Sequence, residues 1–356
     1  MAASSVVAVV VTYNRKALLA DCLRALARQT RPPAGVVLVD NASTDGTREH
    51  VETSRAAGSL AVNYVRIARN GGGAEGFHYG VKHALALDPD WLWIMDDDCE
   101  PAPDCLERLL ATPAAGDLGT TVLCPTVVAA DGAVLPLNRL LRARRLVRSP
   151  LVPLPPDGYA RAEAVLDTAS FVGPLIRAGA ARRAGLPLRE AFIRFDDIEY
   201  IDRLRTAGPR AVTNVAAARI VHKEAIPLVD VSLAGTARRF LRRRDFDSQW
   251  KHLYGVRNLI FAGRRHGWMP LTNAVGIGLQ NVLLYLTLGE PRLRLAQLAL
   301  LYTQDGLRGG FRNVAPPDWP ALAAAPSART YLRDHRLRYD VEVDSAPVRL
   351  SGEEEP

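Results

Sequence analysis

The sequence predicts an α/β fold, a doubly wound and mainly parallel sheet with a helical extension at its C-terminal end. Three observations predict it. Short apolar runs rich in β-branched residues alternate with stretches of helical spacing. The connections between them are short and built from turn residues, as βαβ units require. Near Gly235 the alternation stops, and basic runs and longer apolar helical stretches take over.

The elements follow in order. Val6–Val11 is an unbroken apolar run, the pattern of a strand covered on both faces. Lys16–Arg28 carries Leu18, Leu19, Cys22, Leu23 and Leu26 at helical spacing. Gly35–Val39 is a second strand, Asp45–Glu52 begins a second helix, and Val62–Ile67 is a third strand. Ala74–Leu87 is a third helix and Trp91–Met95 a fourth strand. Thr120–Val128 reads as a strand closed by the Asp131-Gly132 turn. Leu137–Pro156, with Arg139, Arg142, Arg144, Arg145 and Arg148, reads as a mobile basic loop. Thr168–Ile176 is expected as one strand, Asp196–Ala207 as a helix stopped by Gly208-Pro209, and Val212–Val221 as a strand ending at His222. Beyond Gly235 come the basic run Arg238–Arg244 and the apolar stretches Leu271–Leu288 and 292–303, then an acidic tail expected to be disordered. The boundaries drawn from this are a sheet domain at 1–234, a helical region at 235–345 and a tail at 346–356.

Composition sets the outer limits. The 356 residues are 48% hydrophobic and 23% charged, ordinary globular values that allow a sizeable core. A formal charge of +7 favours anionic partners in general and selects none. Nucleic-acid binding would rest on that charge alone and is not expected. The four cysteines form no CxxC pair, which argues for reduced thiols and a cytoplasmic location, and no secretory signal is legible. Leu271–Leu288 has the length of a membrane span, but Asn273, Gln280 and Asn281 interrupt it. Basic runs beside such helices suit peripheral contact with anionic lipid on the cytoplasmic membrane face. A packed helical hairpin or a homo-oligomer contact fits them equally well.

In open parallel sheets, ligands bind beyond the carboxyl ends of the strands. Here four strands in succession run into polar clusters: Thr12-Tyr-Asn14-Arg15, Asp40 to Asp45, Asn70-Gly-Gly-Gly73 and Asp96-Asp97-Asp98. Carboxylates two apart at a strand end can hold one Mg²⁺ or Mn²⁺, whose preferred ligands are oxygens; the plain alternative is a solvated acidic turn. Asp40 is placed to accept hydrogen bonds from a nucleotide, or to close a turn. Asn70-Gly-Gly-Gly73 opens a helix, where glycine permits close approach of a diphosphate. It fits neither a P-loop nor a dinucleotide fingerprint. Asp196-Asp197 begins a helix: Asp197 is a candidate general base toward an acceptor hydroxyl, against the alternative of acids complementing a helix dipole. His222 is a metal ligand or a structural histidine.

Together these motifs resemble the inverting glycosyltransferases of family 2, with a GT-A fold. The resemblance is carried by Val10-Val-Thr-Tyr-Asn-Arg15, by Val39-Asp-Asn-Ala-Ser-Thr-Asp-Gly-Thr47 and by the Asp-x-Asp pattern of Asp96-Asp97-Asp98. Asn70-Gly-Gly-Gly-Ala-Glu-Gly-Phe77, Phe192-Ile-Arg-Phe-Asp-Asp-Ile-Glu-Tyr200 and Asp305-Gly-Leu-Arg-Gly-Gly310 narrow it to a galactofuranosyltransferase- and rhamnosyltransferase-like branch. The resemblance implies a UDP- or dTDP-sugar donor and a glycan, glycolipid or small-molecule acceptor. It implies nucleoside contacts from Thr12, Asn14, Arg15 and Asp40, and donor contacts around Asn70, Gly73 and Asp97. Asp96 and Asp98 would bind Mn²⁺ or Mg²⁺, with His222 completing the shell. Asp197 would be the base, and Asp196 and Glu199 would position acceptor hydroxyls. Glu75 departs from the branch, which has glycine there, and a carboxylate at that point would repel a diphosphate or bind a sugar hydroxyl. The rival reading is a sugar-nucleotide pyranose/furanose mutase using the same nucleotide and metal residues without an acceptor base.

Overall fold

The computed structural model describes residues 4–57, 60–142, 150–207, 211–224 and 245–339. The strands are β1 (Val6–Thr12), β2 (Gly35–Asp40), β3 (Val62–Arg66), β4 (Trp91–Asp96), β5 (Cys99–Pro101), β6 (Val122–Val128), β7 (Arg139–Arg142), β8 (Leu151–Pro153), β9 (Glu163–Val165), β10 (Thr168–Ala169), β11 (Leu175–Arg177) and β12 (Val212–His222). The main sheet runs β3-β2-β1-β4-β11-β6-β12-β5, with β9 on the flank of β12. The β3-β2-β1-β4 half is wholly parallel. Beyond it β11 enters antiparallel, and the β6–β12 pair is parallel again. The α/β expectation is met, with a more mixed second half than the strand–helix alternation implied.

Both faces of β1 and β4 are buried. Val6, Ala8, Val10, Trp91 and Trp93 pack on one side, and Val7, Val9, Val11, Leu92 and Ile94 on the other. A continuous apolar run therefore signals burial on two faces rather than one. The helix Gly73–Ala86 lies unusually close to this sheet, because Gly76 and Gly80, four residues apart, share its inner face. A Cβ on Gly76 would meet Val11 Cγ1 at 2.5 Å, and one on Gly80 would meet Val9 Cγ1 at 2.4 Å.

Two expectations need correction. Leu137–Pro156 is not simply a loop: β7 and β8 pair with each other, and with β10 they form a second, three-stranded sheet. Arg139 is fully buried, donating to the carbonyls of Pro125, Asn138 and Val172. Arg142 pairs with Asp202. Arg144, Arg145 and Arg148 lie outside the described residues. The predicted strand Thr168–Ile176 is divided, with β10 in the small sheet and β11 in the large one, and Gly173 at φ +73° lies in the bend between them. The Asp45 helix begins at Thr47, where Asp45 Oδ1 accepts from the Thr47 amide at 3.2 Å. The Asp196 helix ends at Leu204 and continues as one 3₁₀ turn, Arg205–Ala207. Gly208 and Pro209 lie outside the described residues.

The C-terminal part is built on helices Trp250–Arg265, Leu271–Leu288 and Arg292–Arg308. Leu271–Leu288 and Arg292–Arg308 form a packed hairpin, with Gly278 seated against Thr303. Leu271–Leu288 carries no charged residue. It is the one helix among the described residues long and apolar enough to cross a membrane by length and composition. Ala274, Gly278, Asn281 and Tyr285 face inward, while Leu271, Val275, Leu279, Leu283 and Leu286 stay exposed. The predicted run Arg238–Arg244 and the tail 346–356 lie outside the described residues. All four cysteines are free and buried.

The Gly80–Val9 approach can be tested directly. Gly80→Ala is expected to lower stability by about 1–3 kcal/mol through overpacking. Val9→Ala in the same chain should recover part of the loss, measured by chemical denaturation of both variants. Additive losses would show that the helix is not held close by this pair.

Candidate active site at the strand ends

Sheet register sets the site. Thr12 pairs with Asp40, Asp40 with Arg66, and Val11 with Asp96, so four loops leave the sheet at nearly one level. Strand order reverses about β1, since β2 and β3 lie on one side of it and β4 on the other. The space beyond β1 and β4 is therefore a topological switch point, where such sheets bind ligands.

Across that point Thr12 Oγ1 donates to Asp97 Oδ2 at 2.7 Å, with both residues nearly inaccessible. Arg15 lies 3.5 Å from Asp97 and 3.4 Å from Asp98, and its other terminal nitrogen is 2.9 Å from Glu224. β12 brings His222 opposite Cys99, placing His222 Nε2 3.3 Å from Asp98 Oδ2. Asn14, at φ +52°, braces the neighbouring loop: its amide donates to Ser43 Oγ at 2.9 Å and its Oδ1 accepts from the Thr44 amide at 2.7 Å.

Charge is poorly balanced here. Burial, reinforced by Asp98, Asp97 and Asp196, holds the Asp96 carboxyl well above its ordinary pKa. Burial raises Asp97 to about 6. Asp98 is lowered, because His222 and Arg15 outweigh its desolvation. Asp196 is close enough to Asp96 to disturb its titration, which joins the helix Asp196–Leu204 to the strand-end cluster. Burial raises Asp196 to about 6. Burial, then repulsion from Asp196, raises Asp197 to about 8. These two values belong to the pair, which releases its protons in two coupled steps.

Several expected site residues sit differently. Asp40 is fully buried: its carboxylate accepts from Tyr64, from Arg66 at 3.0 Å and from the Ser43 amide at 2.7 Å. It braces the strand ends, and Arg66, a third exposed, is the charged group facing outward. The sequence reading passed over Arg66, although its place as the last residue of a parallel strand marks it. Asn70 accepts from the Gly72 amide at 2.9 Å, closing a turn. Gly73 opens onto free space, and the crowded glycines are Gly71, whose Cβ position lies 1.5 Å from Glu75 Oε2, and Gly72, at φ +85° with a Cβ position 2.1 Å from the Phe192 carbonyl oxygen. That last contact and the positive φ are enough to require glycine at 72. Glu75 is fully buried and pairs with Arg69 at 3.0 Å, so it faces the protein. Glu199 is also buried, held by Arg203 at 2.9 Å, His266 at 3.4 Å and Arg265 at 3.7 Å. It anchors its helix to Trp250–Arg265 and has no oxygen free for an acceptor hydroxyl.

The expected cation ligands Asp96, Asp98 and His222 do not close around one point. No group of three such side chains poised for a metal occurs among the described residues. The donor set still suits a divalent cation. Asp98, Asp97 and Asp196 add to the cost of ionising Asp96, with Arg15 as the nearby counter-charge, and the buried His222 Nδ1 has no partner among the described residues. Carboxylate oxygens with one imidazole match Mn²⁺ or Mg²⁺ chemistry.

The loop before the Asp196 helix is strained. Phe192, Arg194 and Phe195 adopt φ of 67°, 64° and 59°, a region side chains rarely occupy. Asn258 holds it, its Nδ2 lying 2.8, 3.0 and 2.8 Å from the carbonyl oxygens of Ala191, Ile193 and Arg194. Arg257 adds a bond to Ala191 at 3.0 Å, and Phe192 packs edge-on to Trp250 and Tyr254.

Comparison with known proteins agrees with this architecture. Residues 7–165 match the family described as Glycosyl transferase family 2. The chain is 36% identical over 209 residues to galactofuranosyltransferase GlfT1 of Mycolicibacterium smegmatis, covering 57% of this chain and 66% of that protein. The chain thus spans slightly less than two thirds of that relative's length. It is 29% identical over 245 residues to the N-acetylglucosaminyl-diphospho-decaprenol L-rhamnosyltransferase of Mycobacterium tuberculosis, covering 61% of this chain and 75% of that one. Among solved structures, GalNAc-T7 with UDP, GalNAc and Mn²⁺ superposes with a TM-score of 0.52 at 16% identity, over 77% of this chain and 54% of that one. The fold is GT-A.

If Asn258 holds the strained loop, Asn258→Ala should cost about 1–3 kcal/mol for each carbonyl left unpaired. Proteolysis should then cut first between Ala191 and Phe195. A cleavage pattern identical to that of the unaltered chain would remove Asn258 from this role.

Proposed function

The chain belongs to glycosyl transferase family 2, and on that premise we propose that it transfers a sugar from a nucleotide-diphosphate donor to an acceptor hydroxyl with inversion at the anomeric carbon. One observation carries the reading: the carboxylates after β4 gather at a topological switch point, and Asp196, which opens the next acidic helix, adds to the burial that holds the Asp96 carboxyl above its ordinary pKa. A UDP- or dTDP-sugar is the donor class. The names of the two bacterial relatives support a galactofuranosyl- or rhamnosyl-like group and a glycan, glycolipid or small-molecule acceptor.

Residues 1–234 carry donor binding and chemistry in this reading, and 235–345 support the acceptor side. Thr12 fixes Asp97, and Asn14 holds the Ser43–Thr44 loop beside the nucleoside. Arg66 and Arg15 present positive charge at the strand ends. Asp96 and Asp98, with His222, would hold Mn²⁺ or Mg²⁺, which when bound neutralises charge developing on the diphosphate leaving group. Asp197 takes the proton from the attacking hydroxyl. Burial beside Asp196 suits it, because a carboxylate with a raised pKa is a stronger base. A mutase would need no such group. Exposed Leu279 and Leu283 offer an apolar face for peripheral membrane contact, consistent with a cytoplasmic enzyme acting on a lipid-linked acceptor.

Asp197→Asn is expected to lower transfer by roughly 10²–10⁴-fold while leaving donor binding nearly unchanged. Transfer assays and calorimetry on the same preparation check this, and undiminished turnover removes the base assignment. Asp98→Ala should weaken donor binding when Mn²⁺ is present and have little effect in its absence.

The base must be ionised to act. Transfer is therefore expected to rise with pH through the range of about 6 to about 8 in which the Asp196–Asp197 pair loses its protons, and to level off above it. A flat profile across that range would contradict a raised carboxylate base.

A further inference from the structure

A cavity of about 670 Å³ opens where the ends of helices Trp250–Arg265 and Arg292–Arg308 meet the segment Arg336–Tyr339. It shares no lining residue with the strand-end cluster. Phe261 and Phe311, edge to face at 5.1 Å, form part of its wall. Around them stand Arg265, Arg308, Arg336 and Arg338, with Glu190 the single carboxylate in the lining.

These arginines come from separately fixed pieces of backbone. Arg265 and Arg308 end two long helices, and Gly309, at φ +74°, turns the chain out of the second. Arg336 and Arg338 lie on a segment pinned by the bridge between Val314 and Arg336, by the Leu337 amide donating to the Asn313 carbonyl at 2.7 Å, and by Asn313 bonding the Tyr339 hydroxyl at 3.1 Å. None of Arg308, Arg336 and Arg338 makes an ion pair with a described carboxylate, and Arg265 reaches only Glu199, at 3.7 Å. Several half-buried arginines elsewhere are matched by a buried carboxylate, Arg66 by Asp40, Arg69 by Glu75, Arg142 by Asp202 and Arg203 by Glu199, whereas Arg265, Arg308, Arg336 and Arg338 are exposed to solvent at the cavity. Four exposed guanidinium groups around one cavity concentrate positive charge there, and a polyanion bridging them would be favoured. Their planar forks suit phosphate oxygens, and the aromatic pair suits an apolar group attached to the phosphate.

We propose that this cavity is a second anion site, binding a phosphate- or diphosphate-bearing ligand with an adjacent apolar portion. The site does not depend on the glycosyl-transfer reading, and Arg265 links it physically to Glu199 on the helix that carries Asp197. The same chemistry is offered by a soluble phosphorylated metabolite and by a lipid headgroup.

The test is calorimetry on the full chain in EDTA, where the strand-end carboxylates have no cation through which to hold an anion. Two probes are titrated: inorganic diphosphate and the short-chain, water-soluble dihexanoyl phosphatidic acid. Binding is expected, and the double variant Arg308→Ala, Arg336→Ala should weaken it by at least about tenfold. Glu190→Gln, which removes the only acid, should tighten it, a gain that misfolding would not produce. Binding of diphosphate alone assigns a soluble ligand, and tighter binding of the phosphatidic acid assigns a headgroup. No binding by the unaltered chain, or equal affinity in the double variant, overturns the proposal.

Discussion

The half of this protein that carries the candidate site depends on a strained loop being held by a helix from another part of the chain. Phe192, Arg194 and Phe195 all take left-handed backbone conformations immediately before the helix that presents Asp196 and Asp197. Each such residue costs on the order of 1–3 kcal/mol. Asn258 and Arg257 repay that cost with hydrogen bonds to the loop carbonyls, and Phe192 sits in an aromatic cluster with Trp250 and Tyr254. The same turn carries the Phe192 carbonyl against Gly72 and accepts the Ala74 amide at 3.1 Å. One loop thus locks together the glycine-rich helix, the acidic helix and the C-terminal helices. The C-terminal part is a structural partner of the sheet domain, whatever else it contacts.

Electrostatics then distinguishes the acids by how readily they ionise. The cluster after β4 places three adjacent carboxylates in a partly dry setting with Arg15 and His222 as the cationic partners. Asp98 is stabilised in its charged form and Asp96 is not. Asp196 and Asp197, at the start of a short helix, both resist ionisation, Asp197 more so. Within each pair of neighbouring acids the environment pushes the pKa values apart, Asp98 below Asp96 and Asp196 below Asp197, and the proposed function uses that difference to give Asp98 to a cation and Asp197 to a proton.

Other charged residues proved to be structural. Glu75 and Glu199 resemble site acids in the sequence, yet both are buried against arginines. Arg139 and Arg142 resemble loop cations, yet Arg139 joins three carbonyls of the small sheet and its surroundings. A buried charge survives only when its partners are supplied, and here part of that supply comes from other segments of the chain. Glu75 takes Arg69 from the loop before its helix, and Glu199 takes His266 from the end of a distant one.

What the sequence determined by itself was whatever depends on local pattern. Unbroken apolar runs identify β1, β2 and β4 because strands buried on both faces have no polar side. Turn chemistry after each strand locates the switch point, and the order of strand and helix makes the first half parallel. The division of Thr168–Ile176 between two sheets, the pairing of β7 with β8, the burial of Asp40 beneath Tyr64 and Arg66, and the reason for glycine at 72 were all decided by tertiary contact. So was the clamp of Asn258 on the 192–195 loop. Each of these depends on atoms distant in sequence meeting at a few ångströms, and local periodicity carries no record of which partner will be there.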